Sequence, residues 1–492
     1  MPAFSAQDLA TWTGGRWTTP PAGPLARAGF CVDSRQLRAG QVFVAIKTPK
    51  RDGHDFLGAA AAAGADAAIV AAANPEMALP QLVVADPVGA FQAIAREHRR
   101  RFRGRVVGIS GSAGKTSTKE LLALLLGGSA FGVTATEDHS STSGSGAAAF
   151  TGRVLATQGN LNNHLGVPLT LTRLDSDAHD FAVVEAGISA PGEMRPLAGM
   201  IEPDVALITL VAPAHTQELG GLEGVAREKA QLPAAVRTAG VAVFSRETAR
   251  FPAFRELGVG TMVIERADVL RPAAAPKDTV YFTLTQRADQ TAVALAYGVP
   301  PPLAFTFRRV SDGMAQNAVL AICTALWLGV PAAVIQARLG AWQPAPLRGE
   351  IRHEHGRLLY ADCYNANPAS MVDALEVFAA IAPAHEPRLF VLGCMEELGD
   401  ESPRYHRELG RALELRPDDQ AFIIGTHAQE VIEGAVEAGT PTRQLHVAAS
   451  AKAIADSVRW WRGAVFVKGS RRYQLEQVFA AEEGSPAAAG AH

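Results

Sequence analysis

Val106–Glu120 reads VVGISGSAGKTSTKE: a β-branched run, a cluster of small residues, then Gly114-Lys115-Thr116 opening a helical segment. The order strand, glycine-rich turn, helix lets backbone N–H groups converge at a helix N-terminus, where phosphate is held by dipoles. The lysine adds a mobile cation, and the Thr116 hydroxyl adds a magnesium ligand. The general loop pattern asks for a glycine five residues before Gly114; that position is Ile109, with Gly108 one place too early. A tighter Gly111-x-x-Gly114-Lys115-Thr116 remains, which makes Gly111, Ser112, Ala113, Gly114, Lys115, Thr116 and Ser117 the candidate nucleotide contacts. Lys119, one helical turn on, is the nearby cation that could stand in for Lys115.

Strands and helices alternate on both sides of this loop. Residues 1–103 alternate short apolar strands (41–46, 67–70, 81–84) with helical stretches (56–63, 90–100) and end in a basic run that reads as a solvated helix end. Residues 104–343 add strands at 181–185, 205–209 and 241–244 and a helix at 315–328, which implies a largely parallel sheet covered on both faces. QPAP at 343–346 marks the next break, and residues 344–492 repeat the pattern with strands at 358–362, 388–392, 420–424 and 464–468. The fold class is therefore α/β, in three domains: 1–103, 104–343 and 344–492. Two stretches stand outside it. Residues 127–152, with Glu137-Asp138-His139, read as an exposed loop, and 483–492 as a disordered tail.

Length agrees, since 492 residues at roughly 150 per domain give about three. With 48% hydrophobic and 19% charged residues, the chain is a folded protein and not a disordered one. The formal charge, 46 − 49 = −3, gives no bulk attraction to nucleic acid or an anionic membrane. Four cysteines without a CxxC pair support neither a disulfide scaffold nor a zinc ribbon. No secretory leader and no apolar run near 20 residues is visible, so a cytoplasmic monomer with no membrane or nucleic-acid partner is expected.

Three further features lie near the phosphate loop. Thr157–Pro168 (TQGNLNNHLGVP) packs Asn160, Asn162 and Asn163 ahead of an apolar helix and by itself reads as a capped loop. Phe181–Glu185 delivers a carboxylate to a strand end, the edge where doubly wound sheets bind ligands. His215 follows the next strand, and Lys229 sits on a helix over 223–231, where an ordinary surface lysine is the simplest reading.

Together these residues resemble the Mur ligases, ATP-dependent amide-forming enzymes of peptidoglycan synthesis, over nearly the whole chain. Gly111–Thr116 and Thr157–Pro168 are similar to two of the family's motifs. Asp362-Cys363-Tyr364-Asn365-Ala366-Asn367-Pro368 with Ser370-Met371, Gly393–Gly399 followed by His406, and Val467–Arg471 resemble the branch that adds D-alanyl-D-alanine. The resemblance implies a central phosphate-loop ATPase-like parallel sheet and a Rossmann-like C-terminal domain. It implies ATP and two magnesium ions as cofactors, with Thr116, Glu185, His215 and a carbamylated Lys229 as metal ligands and Asn317, Arg348 and Asp362 at the nucleotide. Lys115, Lys229, His215 and Asn365 would carry the chemistry. UDP-N-acetylmuramoyl-tripeptide and D-alanyl-D-alanine would be the substrates, met by Ser34, Arg35, Asp52, Gly53, His54, Asn160, Asn162, Asn163, Tyr364, Asn367 and Lys468. One departure is Gly313, where the family usually carries histidine. A diaminopimelate- or lysine-adding or folylpolyglutamate-type ligase, or a phosphate-loop hydrolase or kinase, are the competing readings.

Overall fold

Phe181–Glu185, Val205–Ile208 and Val241–Ser245 are buried at every residue, and Arg105–Ser110 is buried from Val106 onward. Strands apolar on both sides need cover on both faces. The computed structural model supplies it, describing residues 2–127, 150–213, 216–270, 276–287, 289–298, 301–354 and 356–479. Glu137-Asp138-His139, the tail from 483 and His215 lie outside the described residues.

Among the described residues the central sheet has nine strands, with Arg105–Ser110 between Phe181–Glu185 and Val205–Ile208 and parallel to both. One face is covered by the helices Lys115–Leu126 and Asp312–Trp327, which bring Leu121, Leu122, Leu125, Val319 and Ile322 onto Val107, Val183 and Leu207. The other face is covered by Gly166–Leu171, Met194–Ile201 and Gly221–Ala234. Successive strands fan out to either side of Arg105–Ser110, so a crevice opens at its C-terminal end, and the phosphate loop lies there.

The sheet is not parallel throughout. Thr279–Gln286, Gln290–Ala296 and Leu303–Arg308 form an antiparallel edge. Burial alternates along Gln290–Ala296, as expected of a strand with one covered face. A further antiparallel pair, Glu350–Glu354 with Arg357–Asp362, borders the third sheet, whose remaining strands run parallel.

The first sheet lies within residues 16–83 and is followed by the helix Pro87–Arg101. That helix inserts Arg99, fully buried, into the central unit. Its guanidinium donates to the carbonyls of Ile201 (2.9 Å) and Glu202 (2.8 Å) and to Asp204 Oδ2 (3.0 Å). Arg99 thus ties the last helix of the first unit to the second. All four cysteines are buried and unpaired.

Candidate active site

The phosphate loop is shaped by contacts that leave no room at two glycines. A Cβ on Gly111 would lie 1.9 Å from Thr209 Oγ1, and one on Gly114, whose φ is +76°, would lie 2.2 Å from Asn317 Nδ2. The loop is tied down by its neighbours: Ser112 N–H donates to Leu210 O (2.8 Å), and the Thr209 hydroxyl donates to Ala113 O (2.5 Å). Lys115 begins the helix and curls back, its Nζ donating to Gly111 O at 2.8 Å. Burial lowers its pKa, Glu185 opposes that shift and Arg348 adds to it. An arriving phosphate would favour its charged form.

Parallel register places Glu185 opposite Ile109, at the end of the adjacent strand. Its carboxylate is almost wholly buried. Oε2 accepts from the Thr116 hydroxyl (3.0 Å), Oε1 accepts from Asn162 Nδ2 (2.8 Å), and the backbone N–H donates to Thr157 Oγ1 (3.0 Å). Arg348 Nη2 donates to the same Thr116 hydroxyl at 3.2 Å while its guanidinium stacks on Tyr364, 3.9 Å from the ring centroid. A buried carboxylate beside a hydroxyl at a phosphate loop is a donor set suited to magnesium, which uses one or two carboxylates and fills its remaining positions with phosphate oxygen and water. Among the described residues no group of three or more His, Cys, Asp or Glu side chains could hold a metal.

Lys229 is not a surface lysine. The helix Gly221–Ala234 buries it, and its pKa falls well below the usual lysine range, first through burial and then through the charge of Lys115. Lys119 is also buried but points elsewhere, donating to Thr157 O (2.6 Å) and pairing with Glu120 (2.8 Å).

Across the crevice stands the third unit. Asp362 and Lys468 end adjacent parallel strands in register, and Lys468 Nζ meets Asp362 Oδ2 at 2.5 Å. Both line one cleft of about 460 Å³ with Ser112–Ser117, Asn160, Asn162, Glu185, Asn317, Arg348, Tyr364, Asn365 and Asn367. Glu247, Arg309, Ser311 and Asp373 line it too. No sequence motif singles these four out, because they come from a short helix, a strand end, a helix cap and one helix face that only tertiary packing brings to the cleft.

Several expected contacts are otherwise engaged. Asn163 Oδ1 accepts from Leu165 N (3.1 Å) and Gly166 N (2.9 Å), capping the next helix instead of facing the cleft. Asn367 lines the cleft, but its Oδ1 accepts from Ser370 N (2.9 Å) in a capping box. In the first unit, Ala71 N–H donates to His54 Nε2 (2.9 Å), so Nδ1 carries the proton and donates to Asp52 Oδ1 (2.6 Å). Gly53 sits where a Cβ would lie 2.5 Å from Ile46 N. Asp52, Gly53 and His54 therefore build their loop, and Arg35 folds onto Asp33 (2.6 Å) beside Ser34. None of these first-unit residues lines the cleft.

Comparison with known proteins matches this arrangement. Family models match residues 28–99 (Mur ligase family, catalytic domain), 109–264 (Mur ligase middle domain) and 347–471 (Mur ligase, glutamate ligase domain). The UDP-N-acetylmuramoyl-tripeptide--D-alanyl-D-alanine ligase of Escherichia coli (strain K12) is 31% identical over 457 residues, 91% of each chain. A crystal structure of MurF from Acinetobacter baumannii superposes with a TM-score of 0.80 at 27% identity, covering 97% of this chain and 98% of that one. MurF ligase from Thermotoga maritima in complex with ADP gives 0.72 at 25% identity, covering 92% and 96%.

Proposed function

Since the chain belongs to the Mur ligase family, we propose that it joins D-alanyl-D-alanine to UDP-N-acetylmuramoyl-tripeptide at the expense of ATP, making the pentapeptide precursor of peptidoglycan. The observation that carries this reading is the single cleft in which a phosphate loop faces the Tyr364–Asn367 segment of another unit. ATP and a UDP-linked substrate suit a cytoplasmic setting, and among the described residues no helix is long and apolar enough to cross a membrane.

A carboxylate needs a better leaving group than hydroxide before an amine can displace it. The γ-phosphoryl group passes to the tripeptide's terminal carboxylate with loss of ADP; the dipeptide amine then attacks the acyl carbon, phosphate leaves, and the amine gives up its proton. The protein's share is positioning and charge neutralisation. Backbone N–H groups of Ser112–Thr116 cradle the phosphates, and Lys115 transfers its hydrogen bond from Gly111 O to a phosphate oxygen. Thr116 and Glu185 would hold magnesium with His215 and, once carbamylated, Lys229, the ion screening phosphate charge. Arg348 supplies further positive charge at the cleft, where Lys468 is paired with Asp362. The buried, readily deprotonated amine of Lys229 suits carbamylation, in which the amine adds carbon dioxide and releases a proton. The resulting anion would also offset Lys115.

The test is to incubate the protein with ATP, magnesium, UDP-muramoyl-tripeptide and a panel of amino acids and dipeptides, and to identify the product by mass. Phosphate release without an added dipeptide would favour a hydrolase and overturn the reading. Lys229→Ala is expected to lower activity by about 100-fold and to recover part of it with added short carboxylates that mimic a carbamate; no recovery would count against carbamylation. Asn365, exposed at the cleft, is expected to contact the dipeptide. Asn365→Ala should therefore slow ligation about tenfold while UDP-substrate affinity, measured by calorimetry, stays nearly unchanged.

A further inference from the structure

Gly313 lies in the first turn of the helix Asp312–Trp327, and its backbone N–H donates to Asp373 Oδ1 at 3.1 Å. Asp373 belongs to the other wall of the cleft, on the third unit's helix Pro368–Ile381. The Ser311 hydroxyl, which accepts from Met314 N at 3.0 Å as the helix cap, lies beside the same carboxylate and favours its charged form. An acid from one unit thus closes the N-terminus of a helix in another, where free N–H groups and the helix dipole favour negative charge. Burial raises the Asp373 pKa against the pull of these donors and of Lys468, so the carboxylate has given up water to make the contact.

The seat has room because position 313 carries no side chain. A Cβ there would lie 2.9 Å from Asp373 Oδ2 and 3.4 Å from its Cγ. A Cβ at 313 would therefore press on the tip of the Asp373 carboxylate and push it away from the Gly313 N–H. On the same helix, one turn further on, Asn317 packs against the phosphate loop at Gly114. One helix therefore touches the loop through Asn317 and the third unit through Gly313. The helix bearing Asp373 starts at the Asn367 cap, two residues beyond Asn365.

We propose that Asp373 is a positioning residue for ligation: its carboxylate docks on the first helical turn at Ser311 and Gly313, and so sets Tyr364 and Asn365 at their working distance from the phosphate loop. This rests on the ligase reading given above, in which the third unit presents the dipeptide.

The experiment uses the full chain with one fluorophore on the central unit and one on the third, together with steady-state kinetics. Asp373→Ala is expected to lower kcat/KM for the dipeptide by about 10- to 100-fold, as for loss of a hydrogen bond to a charged group, and to broaden the distance distribution between the labels. KM for the UDP-substrate should stay within about twofold, because the first unit is untouched. Asp373→Asn keeps an acceptor for the Gly313 N–H and should recover most of the loss. Gly313→Ala raises helix propensity, so a loss of activity there cannot be put down to poor folding. It should match Asp373→Ala, and the double variant should be no worse than the poorer single one, since both remove one contact. An unchanged distance distribution with unchanged dipeptide kinetics in Asp373→Ala would overturn the proposal, as would additive losses in the double variant. If the unaltered protein forms no amide, the ligase reading fails; the distance measurement still decides whether the dock exists.

Discussion

Lys115→Ala is expected to reduce ligation on the order of 10³-fold, the scale for removing a preorganised charged donor from a water-poor site. The structure sharpens this expectation by removing the one substitute that the sequence offers. Lys119 is on the next turn, but its ammonium is held by Thr157 O and Glu120 within the central unit, and reaching the loop would mean breaking both contacts. Product formation followed by mass, beside calorimetric titration of an ATP analogue, checks the result. Turnover should collapse while the nucleotide still binds through the backbone of Ser112–Thr116. Activity within tenfold of the unaltered protein would remove Lys115 from the phosphoryl-transfer step.

Glu185→Gln should cost a comparable amount, about 10²- to 10³-fold, for a different reason. The amide preserves the volume and can still accept from Asn162, so the fold around it should stand. It loses the negative charge that a magnesium ion would require, and its NH₂ group would face the Thr116 hydroxyl where an acceptor now sits. The distinguishing measurement is a magnesium titration of activity. The variant should need at least tenfold more magnesium for half-maximal rate, whereas a purely structural residue would lower the rate at every concentration without moving that midpoint.

The parts of this site that are legible in the sequence are those whose chemistry is local. A strand, two obligatory glycines and Lys115 declare a phosphate loop because the backbone itself makes the site, and Glu185 is marked by its place at the end of an apolar strand. Asparagine is ambiguous for a physical reason: the same amide that reads a ligand also caps a helix, and the Oδ1 atoms of Asn163 and Asn367 accept backbone N–H groups at helix starts. His54 and Asp52 likewise satisfy each other and a neighbouring backbone. Lys229 reads as a solvated helical lysine from sequence, because only the packing of its helix on the sheet turns that face inward. Asp373, Arg309 and Glu247 stay hidden because their partners are distant in the chain. The antiparallel edge of the central sheet, spread over three strands of modest burial, is masked by the stronger signal of the buried parallel strands.

The burial of the four cysteines has a practical side. Each structural unit carries its own thiol reporter: Cys31 in the first, Cys323 in the second, Cys363 and Cys394 in the third. Burial pushes the Cys363 and Cys394 thiols up to about 12 and about 11, so in the folded protein they are both shielded and poorly nucleophilic. A thiol reagent can then modify the chain only as each unit opens, and the order in which the four sites are alkylated is a clock for which unit unfolds first.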